Sequence, residues 1–187
     1  MSQFKLNTAL SVALFLFAFT HTGEVRASTC PAESFVQSAG EAFMSAARRG
    51  TGAAFSSAAS RYADLHGLAL FALGSYRNKL PKSRETEYVA RTRSFMGNFM
   101  AEYGSKFAGD SIAITSCNES PAGLTVGTKL STGQVITFKL RKAGASYRVQ
   151  DVSVSSIWLA QTMKNKFTRV IRENNDDVGA LINYLAK

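Results

Sequence analysis

Residues 124–154 read LTVGTKLSTGQVITFKLRKAGASYRVQDVSV, and the period of their apolar side chains decides the fold. Leu124 and Val126 flank Thr125, and Ile136, Phe138 and Leu140 alternate with Thr137 and Lys139. A strand sends successive side chains to opposite faces, so a period of two marks half-buried strands. Ser131-Thr132-Gly133 and Lys142-Ala143-Gly144 fall where hairpin turns belong. Upstream, Ile112 and Ile114 alternate with Ala113 and Thr115 and add a further strand. In the last stretch the parity slips: Tyr147 and Val149 share one phase, Val152 and Val154 the other. One extra residue near Gln150-Asp151, a β-bulge, would return all of them to one buried face. The expectation is a four-stranded antiparallel meander.

On either side of the meander the period is helical. Phe35, Val36, Ala39, Phe43 and Ala47 follow Pro31 at helical spacing. A small-residue helix is expected over Ala53 to Asp64, then one over Leu65 to Asn78 carrying Leu70, Leu73 and Tyr76. Pro81 opens the longest helix, with a stripe of Tyr88, Thr92, Phe95, Phe99 and Tyr103 widened by Met96 and Met100. After the meander come a helix from about Ser156 to Arg172 and another after Asp176. The whole reads as an α+β fold, a four-stranded antiparallel sheet packed by about six helices.

The first residues have the parts of a secretory signal. Lys5 gives a small positive start, Ala9 to Phe19 an apolar run, and Val25-Arg26-Ala27 a cleavage site before Ser28. The run is shorter than the ~20 residues a membrane-spanning helix needs. The reading divides the chain into a cleaved signal peptide, 1–27, and one domain, 28–187, of 160 residues (187 less 27). The signal takes Lys5, Arg26 and Glu24 with it, so 20 basic and 12 acidic side chains remain, a net charge of +8. In an exported protein that charge points to anionic lipid or acidic protein surfaces rather than nucleic acid. Both cysteines, Cys30 and Cys117, lie in the exported part, where disulfides persist. A bridge between them would close 88 residues (117 − 30 + 1). The alternative is two separate buried thiols.

Catalytic patterns are sparse. His66 is the single histidine after residue 27, which excludes multi-histidine metal sites in that stretch and suits a polar role at a helix end. No Gly-rich phosphate loop, Cys-x-x-Cys pair or Gly-x-Ser-x-Gly elbow occurs. Against that stands a supply of flat and flexible apolar side chains, Phe71, Phe95, Met96, Phe99, Met100, Phe138, Trp158, Met163 and Phe167, on elements that must face one another. They suit either an ordinary core or a cavity that accepts greasy chains, and composition does not separate the two. A pocket between the concave sheet face and the helices would draw on Leu70, Phe71, Leu73, Tyr76, Phe95 and Phe99 from the helical half. Ile112, Ile114, Val126, Phe138, Val149, Val152 and Val154 would come from the strands, and Ile157 and Trp158 from the segment beyond.

Two segments read together carry a family resemblance. One is Leu68 to Lys79, LALFALGSYRNK, before the long helix with Glu-Tyr-Val-Ala-Arg. The other is Tyr147 to Val154, YRVQDVSV, leading into Ser-Ser-Ile-Trp-Leu-Ala-Gln-Thr, then Asn165, Phe167 and Asp177-Val178-Gly179-Ala180-Leu181-Ile182. In order and spacing, from about Phe35 to Ala186, the chain resembles the MlaC family of periplasmic lipid-binding proteins, some of whose members are associated with hopanoids. Gly74 and Tyr76 match the family's Gly-x-Tyr, and Asp151-Val152 its Asp-Val. The resemblance implies a non-enzymatic, cofactor-free monomeric carrier of phospholipid or a hopanoid-like lipid. It further implies two partners, the MCE subunit of an inner-membrane ABC transporter and an outer-membrane lipoprotein complex. Where the family carries Glu-Gly-Val-Ser this chain has Ser155-Ser156-Ile157-Trp158, and a narrower cavity, fewer acyl chains or a flatter terpenoid ligand all fit that difference.

Two other readings stay open at this point. One is an enzyme on a related cone-shaped fold, of the ketosteroid-isomerase kind, for which Asp151 and Tyr76 are the pair to nominate. The other is an envelope adaptor with a filled core.

Overall fold

A computed structural model of the protein describes residues 30–186, so the signal peptide read over 1–27 lies outside the described residues. The strands are β1 (Ile112–Ser120), β2 (Gly123–Leu130), β3 (Val135–Ala143), β4 (Ser146–Val154) and β5 (Ile157–Trp158), an antiparallel sheet in sequence order. The α-helices are α1 (Glu33–Arg49), α2 (Gly52–Tyr62), α3 (Leu65–Ala72), α4 (Glu85–Glu102), α5 (Leu159–Glu173) and α6 (Val178–Tyr184). Short 3-10 turns cover Gly74–Lys79, Lys82–Arg84 and Gly104–Phe107. Among the described residues, no helix is long and apolar enough to cross a membrane.

The alternating apolar residues do what their period dictates. Leu124, Val126 and Leu130 on β2, Ile136, Phe138 and Leu140 on β3, and Val149 and Val152 on β4 are all buried on one face. The parity slip is resolved by a bulge. Leu140 pairs with Val149 but Lys139 pairs with Asp151, so Gln150 is the extra residue. A second irregularity, which alternation alone did not indicate, leaves Thr115 unpaired between Ile114 and Ser116 on β1.

The helices cover that face. α1 buries Val36, Ala39, Gly40, Phe43 and Met44, and Gly40 lets the helix settle on Ile112 of β1. Cys30 and Cys117 are disulfide-bonded, with Cα atoms 5.7 Å apart, so the start of α1 is tied to β1. On the chain-entropy model such a loop contributes roughly 4–5 kcal/mol at most. The α2–α3 junction is pinned to β4, because Asp64 N–H donates to the Val149 carbonyl at 2.8 Å. The Asp64 carboxylate caps α3 through Gly67 N–H and accepts from Arg141 Nε of β3 at 2.8 Å. α2 and α4 approach so closely that a Cβ on Gly97 would run into Ser56 and the Gly52 carbonyl.

Several sequence expectations are revised. The helix expected over Leu65 to Asn78 ends at Ala72, because Gly74 turns at φ +55° and the chain continues as a 3-10 segment. The helix expected from Pro81 begins at Glu85, after a 3-10 turn over Lys82–Arg84. Its buried stripe runs through Tyr88, Thr92, Met96 and Met100, while Phe95 and Phe99 are half-buried and Tyr103 is 51% exposed. The expected four strands become five, and the helix expected from Ser156 starts at Leu159. Ser155 and Ser156 stand at φ +50° and +67°, a two-residue reversal that folds Ile157-Trp158 back onto Ser153-Val154. Gln134 Nε2 donates to Ser155 Oγ at 2.9 Å and holds the turn in place.

A side chain in the left-handed region costs free energy that glycine does not incur. Ser156→Gly is therefore expected to raise stability to urea by about 1 kcal/mol, net of glycine's greater unfolded-state freedom. A variant no more stable than the parent would contradict this conformation of the turn.

Candidate functional site

Where the end of α4 and the Gly104–Phe107 turn meet the β4–β5 hairpin, the helices leave part of the sheet uncovered. The result is a cleft of about 370 Å³. Its walls are Phe99, Met100, Tyr103 and Phe107 on the helical side, Val152, Val154 and Ile157 on the hairpin, and Leu159 at the start of α5. Ile157 is 67% exposed and Tyr103 51%, so these two mark the mouth. The polar side chains of the lining are Tyr103, Lys106, Ser155 and Thr162. The Thr162 hydroxyl already donates to the Trp158 carbonyl at 2.9 Å.

Behind this cleft lies a second apolar void of about 10 Å³, bounded by Gly40, Phe43, Met44, Ile112, Leu130, Ile136 and Phe138. Met100, Phe107 and Val152 border both spaces and form the partition between them. Beside the cleft, sharing Lys106 and Ser155 with it, lies a shallow, open polar depression lined by Ser105, Lys106, Thr132, Gly133, Gln134, Val135, Ser155 and Ser156. An apolar cleft with polar side chains at its border suits an amphiphile.

The structure distributes the residues expected at a pocket as follows. Phe99, Val152, Val154 and Ile157 line the cleft, and Ile112 and Phe138 line the inner void beside Val152. Leu70, Leu73, Val126 and Val149 are buried in the core and Ile114 is half-buried against it, lining neither space. Phe95 packs edge-on against Phe167, with ring centroids 5.4 Å apart. Phe71 is 48% exposed, beneath the Lys164 ammonium. Trp158 pairs with Ser153 and therefore sits on the opposite face of the hairpin from Val154 and Ile157. Its indole lies under Lys139 Nζ, 4.1 Å from the ring centroid. Met100, Tyr103, Lys106, Phe107, Ser155, Leu159 and Thr162 complete the cleft and were not among the residues expected there.

The acid–phenol pair needed by an isomerase-like reading does not assemble. Tyr76 donates to Asp176 Oδ1 at 2.7 Å, a bond that raises the phenol's pKa above its usual range. Asp176 also meets Lys79 Nζ at 3.2 Å, which pins the Gly74–Lys79 turn to the α5–α6 link. Asp151 Oδ1 accepts from Val152 N–H at 2.8 Å and Ala160 N–H at 2.9 Å, so it caps α5 from the neighbouring strand. His66 Nε2 lies 2.7 Å from Glu85 Oε1 on the surface. None of Tyr76, Asp151 and His66 lines the cleft. Among the described residues no three of His, Cys, Asp and Glu gather as a metal site.

Fold and site together define a class: a helix-covered antiparallel sheet with an apolar cleft at its β4–β5 end. The family described as MlaC protein matches residues 39–187, and the chain belongs to that family. Its fold is similar to that of the phospholipid-binding protein from Ralstonia solanacearum, whose structure was solved in complex with a phospholipid. The TM-score is 0.69 at 18% identity, over 83% of this chain and 94% of that one. No curated protein matches the sequence.

Burial raises the Asp151 pKa above its ordinary 3.8, against the opposing pull of the Ala160 and Val152 amides and the Lys139 charge. The folded carboxyl thus holds its proton more tightly than the unfolded one. Stability is favoured while Asp151 is protonated and declines as pH climbs from 3.8 through the raised value. Asp151→Asn keeps an acceptor for both amides and removes the titration. Its stability relative to the parent should be higher near about pH 7 than near about pH 3.5 in denaturant titrations. A difference independent of pH would contradict the burial of this carboxyl.

Proposed function

We propose that the protein is a non-enzymatic periplasmic carrier of phospholipid, whose acyl portion occupies the cleft of Phe99, Met100, Phe107, Val152, Val154, Ile157 and Leu159. The observation that carries this reading is the cleft itself, about 370 Å³ of apolar space open to solvent. That volume is near the lower end of the ~300–1,000 Å³ usual for small-ligand sites. Burying acyl methylenes contributes ~0.8 kcal/mol each, so one long chain gains on the order of 10 kcal/mol relative to water. Membership of the MlaC family and the likeness to a phospholipid-binding protein support the same reading. So does a disulfide, which persists in an oxidising compartment.

In this reading residues 28–187 act as one lipid-binding domain, exported by the signal at 1–27. The carrier passes lipid between an outer-membrane lipoprotein complex and the MCE subunit of an inner-membrane ABC transporter. A membrane offers an acyl chain the same apolar gain as the cleft does, so release depends on docking. Hopanoid or another terpenoid is the second reading of the ligand, favoured by the small volume of the cleft. The positive charge supplies long-range attraction to anionic surfaces, and Lys164 and Lys166 on α5 are candidates for contact.

Val154→Trp places an indole in the cleft from a half-buried position and should weaken binding of a long-chain fluorescent phospholipid by at least about tenfold, with the far-UV spectrum unchanged. Transfer of lipid to anionic vesicles should slow as salt rises and the Debye length falls from ~10 Å at 0.1 M, while lipid already held stays bound. Unimpaired lipid binding by Val154→Trp would remove the cleft from the account.

A further inference from the structure

We infer that the partition closed by Met100 sets how far an acyl chain enters the cleft, so that the protein discriminates among lipids by chain length. The inference rests on the carrier reading and adds a specificity-determining residue to it. The cleft of about 370 Å³ stops at Met100, Phe107 and Val152, the side chains it shares with the inner void. That void, about 10 Å³, is no larger than the ~10–15 Å³ that seats a single water. A methylene needs about as much room as a water molecule, so a chain ends where the partition stands.

The three partition side chains differ in freedom. The Phe107 ring is clamped, its centroid 5.7 Å from that of the fully buried Phe55 and 6.5 Å from that of Phe43. Val152 branches at Cβ and is held in the ladder opposite Phe138. Met100 is buried as they are, but its side chain is unbranched, with a soft thioether and three rotatable bonds. It is the member of the partition that yields or can be shortened without moving the backbone. Beyond it the lining is wholly apolar, so a chain end that passes Met100 meets no polar atom of a side chain. The back wall is held in place. Phe43 and Met44 belong to α1, which the Cys30–Cys117 bridge ties to β1 and which Gly40 seats against Ile112. Depth is therefore set at Met100 and bounded a short distance behind it.

The test is a series of lysophosphatidylcholines of increasing chain length, each below its micellar concentration, competing with a fluorescent phospholipid bound to delipidated protein. In the parent, affinity should rise about fourfold per methylene and then level off, because methylenes beyond the partition gain no burial. Met100→Ala removes three heavy atoms and should move the levelling point outward by about two to three methylenes. The same truncation at Met163, which is buried and lines neither space, should leave it where it is. If the far-UV spectrum shows Met100→Ala unfolded, Phe107→Leu opens the same partition and carries the same expectation. A levelling point unmoved in the folded partition variant, or moved equally by Met163→Ala, would overturn the inference and leave the carrier reading standing. Affinity that climbs with length and never levels in the parent would overturn it too. Failure of every member of the series to bind would remove the cleft itself from the account.

Discussion

A single extra residue in β4 governs the rest of this structure. Gln150 is accommodated between the Leu140–Val149 and Lys139–Asp151 pairs, and beyond it Val152 faces Phe138 and Val154 faces Ile136 on the core side of the sheet. Without the bulge the strand would keep its original parity, and Val152 and Val154 would turn to the outer face. The floor of the cleft and the partition in front of the inner void both include Val152, so each depends on that one insertion. The same insertion sets Asp151 facing away from the core, where its carboxylate accepts from Ala160 N–H and fixes the first turn of α5. A local irregularity in one ladder thus shapes the cavity and positions the helix that closes its side.

The cleft then follows from incomplete cover. α1 lies flush on β1 because Gly40 has no side chain to keep it off Ile112. At the other end of the sheet, α4 finishes at Glu102 and the chain turns through Gly104–Phe107 before reaching β1. Phe99, Met100 and Phe107 reach toward the β4–β5 hairpin across open space. Thioether and benzyl side chains suit such a wall, since they give way around a chain of irregular shape without leaving polar atoms unpaired. Polar side chains are confined to the border of the cleft, where Lys106 and Ser155 also face the shallow depression beside it.

Alternation along 124–154 carried the sheet, and its parity slip located the bulge, because register in a half-buried strand is dictated by which face is dry. The helical stripes carried most of the helices. Other features left weaker traces. Ser155-Ser156 lacks the glycine or asparagine that usually marks a reversal at positive φ, and Ile157-Trp158 reads equally well as the start of an amphipathic helix. Which side of the hairpin Trp158 takes is decided by its pairing with Ser153, a long-range fact with no local signature. The Gly104–Phe107 turn is too short to show a period, so Lys106 and Phe107 went unrecognised beside the cleft. Leu70 and Leu73 share the apolar character of the cleft residues but are buried in the core, since composition does not distinguish a packed face from an unpacked one.

The central claim is that this cleft holds lipid without transforming it. Native mass spectrometry of the purified protein, followed by identification of the lipids in its organic extract, tests that claim most directly. The account predicts a complex whose added mass equals that of one unmodified phospholipid or hopanoid per chain, released by organic solvent and depleted in the Val154→Trp variant. A protein that emerges free of lipid, and that takes none up from vesicles, would contradict it.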